Sequence, residues 1–262
     1  MRNLFCLILG ASLIAASVLR GQAREAALTV FAASSLTEAF REIGAEFEKI
    51  EPGASVRFNF AGSQQLASQI ELAGGADVFA SADERWMQTV RAKSLLAGEP
   101  SRFARNTLVV ILPPNNPGNI VRLPDLARPG LRLVLSGPAV PAGRYSRELL
   151  IRLAASAGFP PDYGQKVLSN VVSNEENVRG VLGKVLLGEA DGGIVYRTDI
   201  RVASSELLQL EIPEPANVTA IYLVAALRQS ANQSLARRFV EFVRSAPGQA
   251  ILVRHGFLRA EP

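Results

Sequence analysis

From residue 28 onward, runs of β-forming residues alternate with segments of helical period, and that alternation restricts the chain to an α/β architecture. Residues 28–32 form a short β-rich run. Leu36, Phe40, Ile43 and Phe47 then recur at helical spacing, behind Ser35 and Glu38 at the spacing of a capping box. Pro52-Gly53 stops that helix, and residues 55–60 alternate like a strand. Ala61-Gly62-Ser63 opens a second helix carrying Leu66 and Ile70. Residues 77–80 read as a third strand, and Asp83 as the cap of a helix through Trp86 and Val90. Repetition of this kind predicts a mostly parallel sheet covered by helices on both faces.

Two longer apolar runs, 107–112 and 218–227, bracket a middle block with its own strand-and-helix set. That block holds a strand at 131–135, a loop over 136–143, a helix across Leu149-Leu150, and a buried strand at 193–196. A capped helix near 173–177 would carry Glu175 and Glu176 in its first turn, where the macrodipole favours acids. Helices over about 232–253 and the tail His255-Gly256-Phe257 complete the chain. The simplest arrangement is two α/β lobes joined by two crossing segments: 24–108 plus 222–262 as the first, 109–221 as the second. A cleft between lobes is where small ligands bind by preference.

The first 23 residues stand apart from this pattern. A basic start with Arg2, an uncharged apolar run over 4–18, and Arg20 before Gly21-Gln22-Ala23 make a cleaved secretion signal and a periplasmic destination. Cys6 lies within that signal and is the only cysteine, so the mature chain has no disulfide, thiol nucleophile or Cys-based metal site. The formal charge of +4 falls by two when Arg2 and Arg20 leave. The remaining basic residues are scattered among acids with no interleaved aromatics, which excludes a nucleic-acid surface.

Enzyme readings lack parts. The single histidine, His255, sits in an apolar tail and reads as structural. There is no Gly-x-Ser-x-Gly elbow, no phosphate-binding Walker loop and no His-Glu-x-x-His. A secreted serine hydrolase using Ser35 or Ser63 would need a base within reach. Lysines, carboxylates and His255 stand at no telling spacing from either serine. No catalytic residue and no ligand for a bare metal cation are assigned.

What the chain does offer is four small-residue loops that run into helix starts: Ala33-Ser34-Ser35, Ala61-Gly62-Ser63, Val140-Pro141-Ala142-Gly143 and Glu176-Asn177-Val178. A helix start presents unpaired N–H groups and the positive end of the dipole, a ready anion site. Taken singly, a serine in such a place is an N-cap worth about 1 kcal/mol. The four together, two in each lobe, are what suggest convergence on one cleft.

Six segments carry a resemblance in sequence order: Val30-Phe31-Ala32-Ala33-Ser34-Ser35-Leu36-Thr37, Phe60-Ala61-Gly62-Ser63, Ala76-Asp77-Val78-Phe79-Ala80-Ser81-Ala82-Asp83, Val140-Pro141-Ala142-Gly143-Arg144-Tyr145, Asn177-Val178-Arg179-Gly180 and Gly193-Ile194-Val195-Tyr196. In them the chain resembles the periplasmic molybdate-binding proteins, a branch of the type II periplasmic binding proteins, from about Leu28 to its end. The resemblance implies five oxyanion contacts: hydroxyl and backbone of Ser35 and Ser63, backbone N–H of Ala142 and Val178, and the hydroxyl of Tyr196. Ser34 stands where relatives often have alanine, which leaves open which of Ser34 and Ser35 points inward. Gly62 and Gln64 lie in a loop often richer in serine. Tyr196 could equally be the buried end of a strand with its hydroxyl satisfied by protein.

The resemblance further implies that molybdate or tungstate is a transported ligand and not a cofactor. A monomer would close on it by hinge motion and deliver it to the membrane permease of an ABC importer. A sulfate or thiosulfate binder of the same fold, a secreted serine hydrolase and an effector-binding sensor domain are the alternatives.

Overall fold

Leu28, Val30 and Ala32 are fully buried along β1 (Ala26–Ala33). The computed structural model describes residues 26–201 and 207–260; the expected secretion signal, with Cys6, lies outside them. The alternation seen in the sequence continues as α1 (Thr37–Ile50), β2 (Ala54–Ala61), α2 (Ser63–Ala73), β3 (Val78–Ser81) and α3 (Glu84–Ala92). β1 pairs in parallel with both β2 and β3, as the strand–helix–strand repetition requires. Phe40 and Phe47 of α1 are buried, with ring centroids 6.2 and 5.2 Å from that of Phe239. Aromatic packing of this kind fastens α1 to the C-terminal helices.

β4 (Ser101–Asn106), which the sequence reading did not separate out, precedes β5 (Leu108–Leu112) by the single residue Thr107. Arg102, Arg105 and Asn106 make β4 too polar to stand out as an apolar run. The chain enters a second sheet at β5. It continues through β6 (Leu133–Ser136), α4 (Pro141–Ala154), α5 (Tyr163–Ser169), β7 (Val171–Glu175), α6 (Val178–Leu186), β8 (Gly192–Tyr196), α7 (Arg197–Ile200) and β9 (Leu208–Leu210). It returns to the first sheet with β10 (Ala220–Ala226), then α8 (Gln233–Arg244), α9 (Ala246–Arg254) and β11 (Leu258–Arg259).

The first sheet has the order β11-β4-β10-β3-β1-β2 and the second β7-β6-β8-β5-β9. Both are mixed. The parallel ladders are those formed by β1 with β2 and β3, and by β6 with β7 and β8. The strands at the crossings run the other way: β10 is antiparallel to β3 and β4, and β5 to β8 and β9. A chain that arrives from the opposite lobe enters without a crossover helix, so nothing obliges it to be parallel. The two crossings are tied to each other, since Asn217 accepts from Leu108 N at 3.1 Å and donates to its carbonyl at 2.9 Å.

Candidate functional site

The four loops singled out in the sequence converge between the lobes. They enclose one cavity, lined by Ala33, Ser34 and Ser35; Ala61, Gly62 and Ser63; Ala82; Val140, Pro141 and Ala142; Asn177 and Val178; and Tyr196. The space they leave between them is small. Ser35, Ser63, Ala142, Val178 and Tyr196 are thus all brought together, each no more than 3% exposed. Both Ser34 and Ser35 face the cavity.

The local geometry follows from the sequence, with two corrections. Ser35 does not cap α1, for residues 34–36 form a 3₁₀ turn and Leu36 occupies the cap position without a side-chain bond. That tight turn swings the Ser35 hydroxyl inward, 2.9 Å from the hydroxyl of Tyr222 on β10. Nor do Glu175 and Glu176 sit in a helical first turn: β7 extends to Glu175, and α6 begins only at Val178. Asn177 is the cap there, accepting from Arg179 N at 3.0 Å and Gly180 N at 3.2 Å, which leaves Val178 at the first helical position.

Ser63 opens α2 and accepts from Ala82 N at 3.0 Å. Ala142 lies in the first turn of α4, behind Pro141. Helical residues so placed have no intrahelical partner for their N–H. Gly143 lets this helix start so close to β6, because a Cβ there would overlap the carbonyl oxygens of Ser136 and Gly137. Tyr196 ends β8, and its buried hydroxyl has no hydrogen-bond partner among the described residues. Burial holds that phenol well above its ordinary pKa, so it stays a protonated donor.

Among the described residues, no ionisable side chain other than the Tyr196 phenol lines the cavity. Charge is displaced to the surrounding layer. Asp83 is fully buried, caps α3 through Trp86 N at 3.0 Å, and is ion-paired with Arg144 at 3.5 Å. Asp199 accepts from Tyr196 N at 3.1 Å and is ion-paired with Arg179 at 3.0 Å; burial outweighs that partner and pushes its carboxyl up to about 6. Arg179 also pairs with Glu38 of α1.

Several of these contacts cross the cleft. To Arg144–Asp83 and Arg179–Glu38 are added Gln64 donating to the Glu176 carbonyl at 2.7 Å and Gln65 to its carboxylate at 2.8 Å. The Trp86 indole donates to the Ala139 carbonyl at 2.8 Å. The lobes are closed, and polar clasps ring the cavity. His255 lies elsewhere, bonded to Glu42 at 2.7 Å.

The sequence reading missed Tyr222, Ala82 and the capping role of Asn177. Tyr222 looked like one more apolar strand residue, and only its pairing with a residue 187 positions away gives it a part in the site.

Comparison with known proteins agrees with this fold. The family model described as bacterial extracellular solute-binding protein matches residues 28–258. The molybdate-binding protein ModA of Mycobacterium tuberculosis is 40% identical over 232 residues, 88% of this chain and 84% of that protein. Among solved structures, the periplasmic molybdate-binding protein of Azotobacter vinelandii superposes with a TM-score of 0.76 at 20% identity, covering 89% of this chain and 100% of that one. The sulfate-binding protein SubI of M. tuberculosis gives 0.79 at 16% identity, covering 90% and 88%. The fold therefore does not discriminate between the two anions.

Proposed function

The chain belongs to the bacterial extracellular solute-binding proteins, in the branch of the molybdate-binding proteins, and from that premise we propose that it captures molybdate or tungstate in the periplasm and delivers it to an ABC-type permease. The observation that carries the reading is the inter-lobe cavity in which Ser35, Ser63, Ala142, Val178 and Tyr196 meet, with no charged side chain lining it and no partner for the Tyr196 hydroxyl among the described residues.

A dianion can be held there without a counter-cation. Three hydroxyls and the N–H groups of two helix first turns supply neutral donors, and each hydrogen bond to the ion contributes about 1.5–3 kcal/mol. The helix dipoles point the same way. The N–H groups and dipoles are fixed by the fold before the ligand arrives, so little ordering opposes binding. Sulfate satisfies the same donors, so its rejection must rest on size. The 40% identity to a molybdate-binding protein, against 16% to the sulfate binder, favours the larger ions.

The two lobes swing about the crossings near Thr107 and between Leu210 and Ala220, so that β5 moves with the second lobe and the whole of β10 with the first. The clasps around the cavity hold the loaded form shut, and its outer face, as a monomer, presents both lobes to the permease. Among the described residues no helix is long and apolar enough to cross a membrane. The hydrolase alternative lacks support, because Ser35 Oγ bonds a tyrosine hydroxyl and Ser63 Oγ a backbone N–H, not a base.

Calorimetric titration of ligand-stripped protein lacking residues 1–23 tests the proposal. The expected result is tight one-to-one binding of molybdate and tungstate, with sulfate at least about a hundredfold weaker (about 2.7 kcal/mol) and phosphate weaker still. Preference for sulfate would retain the transport role and overturn the cargo, and silence toward all four anions would overturn the site.

A further inference from the structure

We propose that Gly62 is the stop that sets how far the two lobes can close, and through that how long the captured anion is held. The inference rests on the oxyanion-binding reading above and adds to it a residue outside the five contacts. The N–H of Gly62 is spent on Gln65 Oε1 at 3.1 Å, not on the ligand.

Gly62 precedes α2 in the first lobe and lines the cavity. Its φ of −63° and ψ of 141° are ordinary extended values, so its backbone would accept any side chain. The need for glycine comes from across the cleft. A Cβ at this position would stand 2.5 Å from the backbone carbonyl oxygen of Glu176 in the second lobe, closer than real Cβ atoms come. Relief to ordinary contact requires the lobes to part there by about 1 Å.

That carbonyl is held from both sides. The Glu175 carbonyl before it accepts from Gly137 N at 2.9 Å, and Asn177 after it caps α6 through Arg179 N and Gly180 N. Close approaches at two other glycines differ in kind. At Gly143 the crowding carbonyls belong to the same lobe, so that glycine is needed whether the cleft is open or shut. At Gly256 the atoms from the opposite lobe belong to the Arg201 side chain, which can move.

What the missing side chain permits is a clasp. With the Glu176 carbonyl lying against Gly62, Gln64 Nε2 reaches that carbonyl at 2.7 Å and Gln65 Nε2 reaches the carboxylate of the same residue at 2.8 Å. A separation of about 1 Å would stretch both beyond hydrogen-bonding distance. A larger residue at position 62 thus leaves the open first lobe and its donors intact and denies the closed form its clasp. Capture begins on the open form and release must break the clasp, so the effect falls on release.

The experiment loads protein lacking residues 1–23 with molybdate and chases it with excess tungstate to time release. Calorimetry then gives the association rate as the release rate divided by Kd. Gly62→Ala is expected to release molybdate about tenfold faster, the effect of two exposed hydrogen bonds. Association should change by less than about twofold, and the ligand-free melting temperature by less than about 2 °C. Glu176→Ala, which removes the carboxylate that Gln65 clasps, should speed release about threefold on its own and hardly at all in Gly62→Ala, where the clasp is already lost. In a Gln64→Ala background Gly62→Ala must still speed release, because the Glu176 carbonyl remains in the way.

Unchanged release in Gly62→Ala, affinity lost through association instead, or effects of Gly62→Ala and Glu176→Ala that simply add would overturn the inference. So would silence of Gly62→Ala in the Gln64→Ala background, which would show that the glycine only makes room for the Gln64 side chain. A Gly62→Ala chain that fails to fold without ligand would overturn it too, because the proposed clash exists only between closed lobes. Failure of the wild type to bind molybdate would be seen before any variant is read, and would remove the functional reading itself.

Discussion

The interior of the cavity and the ring of contacts around it are built from opposite materials. Inside, hydroxyls and helix-start residues converge with no charged side chain among the described residues. One layer out, Asp83, Asp199, Glu38, Arg144 and Arg179 form ion pairs, two of which span the cleft. A buried lysine or arginine in the cavity would bind an anion strongly, but it would carry an uncompensated charge whenever the ligand left. Neutral donors avoid that, because an open cleft lets water satisfy them. The charged layer can open for the same reason: its cross-cleft arginines, 35% and 21% exposed at the side chain, are only partly withdrawn from solvent. Affinity is thus assigned to groups that the ligand alone completes, and closure to groups that complete each other.

The sharpest way to break this division is to remove an interior donor. Ser63→Ala or Tyr196→Phe should weaken molybdate by about 10- to 100-fold, from the 1.5–3 kcal/mol of a hydrogen bond to a charged group, read by calorimetry. If either change is nearly silent, the interior is not where affinity resides.

A rim substitution should do far less. Arg144→Gln leaves Asp83 capping α3 but without its cross-cleft partner. The arginine is exposed enough for solvent screening, so about three- to fivefold weaker binding is expected, within the roughly 1 kcal/mol of such pairs. The difference from wild type should shrink as salt is raised. A loss as large as that of Ser63→Ala would show that closure and affinity are not separable.

The smallest effect on binding belongs to Asp199. Its carboxyl titrates near 6 in the folded chain against a reference value of 3.8. Between those values the folded state holds more protons than the unfolded one, so this group's contribution to stability declines as pH rises through that window and is constant above it. Melting curves of wild type minus Asp199→Asn should slope in that window and flatten above about pH 6, while molybdate affinity at neutral pH stays within about twofold, since an amide can still accept from Tyr196 N. A flat difference curve would mean that Arg179 offsets the burial.

What the sequence revealed and what it hid divide along the same line. Strands β1, β2 and β3 and their helices were legible because each is a local pattern closed by its own punctuation, Pro52-Gly53 or Asp83. The five candidate contacts lie in short local motifs and do converge. The mixed character of the sheets was not legible, since antiparallel partners lie far apart in sequence, as in β3–β10 and β4–β10 of the first sheet and β5–β8 of the second. Ser35 was read as a cap because its spacing to Glu38 fits one, and only the 3₁₀ turn and Tyr222 reveal the other use of that hydroxyl. The whole rim was invisible, for Gln64–Glu176, Trp86–Ala139 and Arg144–Asp83 are tertiary pairs without a sequence signature.

One of those rim contacts gives the molecule an optical gauge. Trp86 is the chain's only tryptophan, and its indole N–H is engaged by the opposite lobe at Ala139. When the lobes part, that bond is exchanged for water, and the emission of a single fluorophore changes with nothing else to dilute it. Rates of opening and closing could then be followed in the unlabelled protein by stopped flow.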